Sequence, residues 1–138
     1  MAGLQVLEET FAGQGFKVLG FYSNNFGNQG GSDDQIDTCT GEYMVTFPQF
    51  EIANVIDPDG AGPEAPQPVW EWLLSQPNPD PGLPLSPDWN FNKYLISRDG
   101  QLVGHWASPT YPGDDPNDPN DSFDTSPVVV AIQAELAK

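Results

Sequence analysis

Cysteine and histidine, the usual zinc ligands and common catalytic side chains, are few in this chain. It has one cysteine, Cys39, and one histidine, His105. The usual zinc ligand sets draw on several such side chains, so no zinc or other metal site is expected from this pair. The acidic runs DPDG at 57–60 and DDPNDPND at 114–121 lack the EF-hand spacing of glycine and glutamate, and solvated turns are expected there instead.

Three uncharged side chains could donate hydrogen bonds to a reacting anion. Gln29 and Asn90 carry amide N–H groups, and Trp89 carries an indole N–H. Each has an ordinary structural role when taken alone, since a Trp before a strand is usually core, an Asn beside it a cap, and a Gln in a glycine-rich loop solvated. The case for chemistry therefore depends on the motifs in which they stand.

Two motifs and a middle segment stand in a fixed order along the chain. The first, Gly20 to Gln29, reads GFYSNNFGNQ, and the second, Trp89 to Gly100, reads WNFNKYLISRDG. Between them, residues 43–50 read YMVTFPQF. In order and approximate spacing these resemble LGFPCNQFGxQ, WNFxKFLVxxDG and YGVTFPxF of the glutathione peroxidase family. The resemblance covers roughly residues 2–110, and the acidic, Pro- and Asn-rich loop at 112–125 is atypical of that family.

The resemblance implies a catalytic role for Gln29, Trp89 and Asn90. In the family they are the partners of a cysteine or selenocysteine that attacks the O–O bond of a hydroperoxide. N–H donors directed at a thiolate or selenolate lower its pKa, and they can also stabilise the departing oxygen. The oxidised product is a sulfenic or selenenic acid that a reducing thiol must clear.

The chain departs from the family pattern at several positions. Ser23 stands where the family has a cysteine, and Asn25 replaces its first Gln; neither belongs to the catalytic set. The nucleophile itself, which the family places on a strand before the first helix, has no counterpart after Met1. MAGLQVLEE resembles the helix that follows the family motif CGxTPQY. We therefore expect Met1 to be an artificial or misassigned start, with a cysteine or selenocysteine codon just upstream.

That expectation has two consequences for the chain as given. It should show no peroxidase turnover, and loss of a central strand should leave it marginally stable or prone to associate, because unpaired strand edges invite pairing. Cys39 stands near the position of the resolving cysteine in thioredoxin-dependent members, where a thiol condenses with the sulfenic acid. It could equally be a small buried hydrophobe at a helix end.

Composition limits the partners. The chain has 138 residues and a net charge of −16, from 20 acidic and four basic residues. Nucleic acids and anionic membranes are not expected partners, because both require clustered bases. Glutathione is an anion, so a thioredoxin-type reductant is favoured over it. The resemblance also implies a monomer, because the loop before Trp89 lacks the longer insertion found in tetrameric members of the family. No signal peptide is visible, which favours the cytoplasm.

The hydrophobic periodicity and the positions of glycine, proline and capping residues predict a mixed order of helices and strands in one domain. Together with the resemblance, this order predicts an α/β fold of thioredoxin-like type, a sandwich without its first central strand. The predicted elements are a helix at 2–12, a strand at 16–22, a helix at 32–39, a strand at 43–50, a helix from Pro68, a hairpin at 91–106 turning at Arg98–Gly100, and a helix at 126–137.

A second function class stays open. The chain could be a non-catalytic thioredoxin-fold binding protein. Retention of Gln29, Trp89 and Asn90 together argues against this, because a protein freed from catalysis has no chemical reason to keep all three.

Overall fold

The computed structural model describes residues 1–27, 31–57 and 65–138. The chain divides into two compact units. The first comprises Met1–Gly20, Asp34–Gln49 and Thr110–Lys138, and the second comprises Phe21–Asp33 and Phe50–Pro109. Within the described residues, no helix is long and apolar enough to cross a membrane.

The first unit is helical. Helix α1 spans Ala2–Phe11 and continues into a 3-10 turn at Ala12–Gln14, which Gly15 ends in the left-handed region at φ 87°. Leu7 and Phe11 are four residues apart, so they bury the same face of α1. Gly3 lies against the Pro112 carbonyl, where an added Cβ would come within 2.7 Å of the oxygen.

Two more helices complete this unit. Helix α2 spans Asp33–Glu42, with its first residue assigned to the second unit, and helix α4 spans Pro127–Leu136. Pro127 opens α4 at a position where its missing N–H has no intrahelical acceptor. Ser126 does not cap α4 through its side chain; its Oγ accepts a hydrogen bond from the Gly113 N–H at 3.2 Å. Val128, Val129 and Ile132 bury one face of α4.

The second unit contains a helix and a hairpin. Helix α3 spans Pro68–Leu74, and strands β3 (Lys93–Ile96) and β4 (Leu102–Trp106) pair antiparallel. Gly100, at φ 80°, supplies the left-handed residue of the turn between the strands. The core of this unit is an apolar cluster with half-buried neighbours; the buried members are Phe26, Val55, Trp70 and Leu73, and the neighbours are Phe21, Ile56, Tyr94 and Leu102.

A further pair of strands is very short. Strand β1 (Gly20–Phe21) and strand β2 (Gln49–Phe50) form a two-stranded sheet. The rings of Phe21 and Phe50 stack with centroids 4.5 Å apart.

The structure confirms the predicted helices near 2–12, 32–39, 68 and 126–137 and the hairpin with its turn. The predicted strands at 16–22 and 43–50 were wrong in extent, since only two residues of each are strand. Their backbone groups are engaged elsewhere: the Val18 N–H donates to the Glu8 carboxylate, and the Thr46 N–H donates to the Gln5 amide oxygen. Pro48 has no N–H to donate. The DPDG turn lies largely outside the described residues.

Candidate active site

Trp89 lies at the junction of the two sequence motifs. Its ring centroid is 6.5 Å from that of buried Phe26, at an interplanar angle of 46°. Phe26 belongs to the first motif, three residues before Gln29, which lies outside the described residues. Trp89 is 49% exposed, so it is not the core residue that a Trp before a strand usually is. The two motifs therefore meet, with an indole available to solvent.

The segment from Trp89 to Asn92 forms a strained turn. Phe91 has a φ of 60°, in the left-handed region that a bulky residue rarely adopts. The Asn92 Nδ2 closes the turn by donating to the Trp89 carbonyl at 2.8 Å, with a longer contact of 3.4 Å to the Asp88 Oδ1. Asn90 lies half-buried between Trp89 and Phe91. Trp89 and Asn90 are thus adjacent on a turn whose conformation needs support.

His105 provides part of that support. It is 4% exposed on β4, directly opposite Tyr94 in the hairpin register. Its ring stacks on Tyr94, with centroids 4.4 Å apart and planes within 4° of parallel. The His105 Nε2 lies 3.2 Å from the Asn92 Oδ1. Burial lowers the pKa of His105, an effect that Lys93 reinforces and that the carboxylates of Asp80 and Asp88 oppose.

Tyr94 is a neutral donor within this cluster. Its hydroxyl donates to the Leu85 carbonyl at 2.8 Å, and its ring also meets Trp70 edge-to-face, with centroids 5.4 Å apart. Burial, followed by the nearby Asp88 carboxylate, raises the pKa of Tyr94 well above its usual range. The phenol therefore stays protonated and keeps its hydrogen bond to the loop that precedes Trp89.

Lys93 joins the start of the hairpin to its end. Its Nζ donates to the carbonyls of Ala107 and Ser108, each at 3.1 Å. Burial lowers the pKa of Lys93 to about 8. The two carbonyl acceptors favour the ammonium form, because both accept hydrogen bonds from it. This basic residue thus serves the backbone that follows β4.

The first motif is fixed by Asn25. The Asn25 Oδ1 accepts hydrogen bonds from the Val55 N–H at 2.8 Å and from the Ser23 hydroxyl at 2.7 Å. Its Nδ2 donates to the Asn54 Oδ1 at 3.1 Å. The two positions that depart from the family pattern, Ser23 and Asn25, therefore bond to each other and join the motif to the segment at 54–55.

The remaining candidates belong to the first unit. Cys39 lies half-buried in the last turn of α2. No group of three or more His, Cys, Asp or Glu side chains among the described residues could hold a metal ion. The acidic loop forms side-chain turns, in which the Asn117 and Asn120 N–H groups donate to Asp115 and Asp118.

The sequence motif predicts a catalytic role for Trp89 and Asn90, but it does not point to the residues that contact their turn. The sequence presents His105 only as a possible metal ligand, and Asn92 and Lys93 only as parts of a motif. One signal was present: in a strand that alternates faces, a histidine opposite a tyrosine on the inner face must find a polar partner. Asn92, immediately before the partner strand, is that partner.

Comparisons with known proteins identify the family. Residues 1–74 match the protein family described as glutathione peroxidase. The glutathione peroxidase homolog BsaA of Halalkalibacterium halodurans is 42% identical over 112 residues, covering 79% of this chain and 66% of that protein. The hydroperoxy fatty acid reductase gpx1 of Synechocystis is 38% identical over 113 residues, covering 77% and 63%. The thioredoxin/glutathione peroxidase BtuE of Escherichia coli is 34% identical over 126 residues, covering 80% and 68%.

A solved structure extends the comparison to the fold. The crystal structure of Trgpx in its apo form matches 80% of this chain and 60% of its own, with 33% identity and a TM-score of 0.55. The fold class is therefore the thioredoxin-like α/β type. The chain belongs to the glutathione peroxidase family. It spans a little under two thirds of the length of the first two curated relatives described here, at 66% and 63%.

Proposed function

We propose that this chain carries the hydrogen-bond donors of a thiol peroxidase that reduces hydrogen peroxide and organic hydroperoxides. The observation that carries the proposal is the exposed Trp89 indole beside Asn90, on a turn packed against the first motif through Phe26. The names of the relatives, which include a hydroperoxy fatty acid reductase and several glutathione peroxidases, support the same reaction.

The proposed chemistry is a two-electron oxygen transfer. A thiolate or selenolate attacks the terminal oxygen of the hydroperoxide, the O–O bond breaks, and the leaving alkoxide or hydroxide takes a proton to give an alcohol or water. The resulting sulfenic or selenenic acid condenses with a thiol to release water and form a disulfide or selenenyl sulfide, which a second thiol reduces. Trp89, Asn90 and Gln29 donate to the anion before attack and to the departing oxygen during it.

The family places the attacking residue before the first helix, and Cys39 is the one cysteine of this sequence. The test therefore uses two versions: the chain as it stands, and the chain with a strand and a CGxTPQY segment added ahead of Met1. We expect thiol-dependent peroxide consumption from the extended version only. The non-catalytic alternative would replace this proposal if the extended, folded version consumed no peroxide with any thiol.

The proposed reductant is a thioredoxin-type protein, and the proposed state is a monomer in the cytoplasm. Of the four basic residues, Lys17 pairs with Glu8, Lys138 pairs with Glu135, and Lys93 donates to backbone carbonyls. The net charge of −16 further disfavours an anionic tripeptide such as glutathione.

Cys39 is the proposed resolving cysteine. In the extended version we expect kcat/KM to be at least tenfold higher with thioredoxin than with glutathione, and we expect Cys39→Ser to abolish the thioredoxin-dependent part. Equal rates with both reductants, unaffected by Cys39→Ser, would contradict this choice. Elution of the extended version as a stable dimer in size-exclusion chromatography would contradict the monomer.

A further inference from the structure

His105, Asn92 and the backbone of Trp89 form a continuous hydrogen-bonded path. The His105 Nε2 meets the Asn92 Oδ1 at 3.2 Å, and the Asn92 Nδ2 donates to the Trp89 carbonyl at 2.8 Å. All three residues lie in the second unit, within 17 positions of one another in the sequence. The path begins at buried His105 in the hairpin and ends at exposed Trp89 in the turn.

The path fixes the tautomer of His105. Because the Asn92 Nδ2 donates to a carbonyl, the Oδ1 of the same amide must face the imidazole as an acceptor. The Nε2 therefore carries the hydrogen and donates it. The Nδ1 then holds the lone pair, and among the described residues it is buried without a hydrogen-bond partner.

The turn that this path reaches needs a support. Phe91, between Asn90 and Asn92, has a φ of 60°, and such a conformation is unfavourable for a bulky residue and persists only where its surroundings impose it. The Phe91 side chain is 59% exposed, so packing of its ring does not impose the turn. Asn92 contacts this turn through the Trp89 carbonyl, and His105 contacts Asn92.

We propose that His105, acting through Asn92, is a positioning residue that holds Trp89 and Asn90 in the orientation required for peroxide reduction. This inference rests on the proposed function. His105 does not touch substrate; it orients the Asn92 amide, and the Asn92 amide closes the turn that presents the two donors. Stacking on Tyr94, with centroids 4.4 Å apart, sets the plane of the imidazole and hence the direction of the Nε2–H.

Two substitutions at His105 separate its hydrogen bond from its stacking. His105→Phe keeps an aromatic ring against Tyr94 but removes the donor. His105→Gln loses the ring but places an amide nitrogen close to the position of Nε2. We expect His105→Phe to lower kcat/KM for peroxide in the extended version by roughly 10- to 100-fold, the cost of small misplacements at a reacting centre. We expect His105→Gln to recover most of that loss.

Two substitutions at Asn92 and Asn78 complete the set. Asn92→Ala should match the loss in His105→Phe, and the double variant should lose no more than Asn92→Ala alone, since both residues act through one path. Asn78→Ala is the matched control, because the Asn78 Nδ2 also donates to a loop carbonyl, that of Leu83, at 2.7 Å. It should leave the peroxide kinetics unchanged.

NMR spectroscopy tests the positioning role of His105 independently of peroxidase activity. His105 is the only histidine, so its ring nitrogens can be assigned by NMR without ambiguity. We expect the neutral Nε2–H form at pH 7. We also expect the Trp89 indole and Asn90 amide resonances to shift in His105→Phe and Asn92→Ala, and to return toward native positions in His105→Gln. Asn78→Ala should leave them in place.

The outcomes separate the two proposals. An Nδ1–H tautomer, or unchanged Trp89 and Asn90 resonances in folded His105→Phe and Asn92→Ala, would overturn the positioning role. Equal loss in His105→Phe and His105→Gln would also overturn it, since the donor would then not matter. Absence of peroxide consumption from every version would overturn the proposed function, whereas the resonances would still decide the positioning.

Discussion

Two buried polar side chains, Glu8 in the first unit and His105 in the second, hold backbone in contrasting ways. Glu8 is charged and 3% exposed, and both of its oxygens are engaged, one with the Lys17 Nζ and the other with the Val18 N–H at 2.8 Å. His105 is 4% exposed. Of its two ring nitrogens, only Nε2 has a hydrogen-bond partner among the described residues. A fully paired group stabilises the fold, whereas a half-paired group beside an exposed turn stabilises the turn at some expense to the fold.

Glu8→Ala should have the largest effect on stability. The substitution leaves the buried Val18 N–H without an acceptor and removes the ion pair, so we expect a loss of about 2–4 kcal/mol in the free energy of unfolding. Urea titration measures it. Lys17→Ala is the control: it removes the ion pair but keeps the Glu8 carboxylate as the acceptor for the Val18 N–H, so it should cost less than Glu8→Ala. Equal losses in both variants would show that the backbone hydrogen bond contributes nothing.

His105→Phe should have a much smaller effect on stability than Glu8→Ala. The substitution loses the hydrogen bond to Asn92 but also removes the buried, unpartnered Nδ1, so the net change should lie within about 1 kcal/mol. The same urea titration gives the value. A loss as large as that of Glu8→Ala would mean that His105 serves the fold rather than the turn, and would erase the contrast between the two residues.

Local structure follows from the sequence, but the contrast between Glu8 and His105 does not. Local structure is predicted where it depends on near neighbours in the chain. Examples are the helical spacing of Leu7 and Phe11, Pro68 at the start of α3, and the turn at Gly100. The motif predicts the roles of Trp89 and Asn90.

The interactions of Glu8, Asn92 and His105 were not predicted. They join residues 9 to 13 positions apart through side-chain atoms, and neither periodicity nor composition specifies such pairs. The strands at 16–22 and 43–50 were overestimated for the same reason, since Glu8 and Gln5 take backbone N–H groups that the pattern assigned to a ladder.

Stability should depend on pH through His105. The pKa of His105 is lowered in the folded chain, so between that pKa and the ordinary value of about 6.5 the unfolded chain binds more protons. The stabilisation is therefore fully present above about pH 6.5 and is lost as the pH falls through this window. We expect the stability of the native chain relative to His105→Phe to decrease from pH 8 to pH 5. A constant difference would contradict the buried, neutral imidazole.

Phe91 should give the smallest effect and refine the picture of the turn. Because φ is 60° at this position, Phe91→Gly should be more stable than Phe91→Ala by about 1 kcal/mol, the cost of a left-handed conformation for a residue with a Cβ. Thermal unfolding of the two variants measures the difference. If Ala were the more stable, the turn would not be strained in solution, and His105 and Asn92 would have nothing to hold.

The central proposal is that Trp89 and Asn90 donate hydrogen bonds to a peroxide-reducing anion. The direct measurement is a stopped-flow single turnover of the extended version with hydrogen peroxide, with no reductant present. We expect Asn90→Ala and Trp89→Phe each to lower the second-order rate constant, Asn90→Ala by roughly 100-fold, as for loss of one preorganised donor. Glu8→Gln, a substitution in the first unit, should leave it unchanged. Equal rate constants in all four proteins would contradict the account.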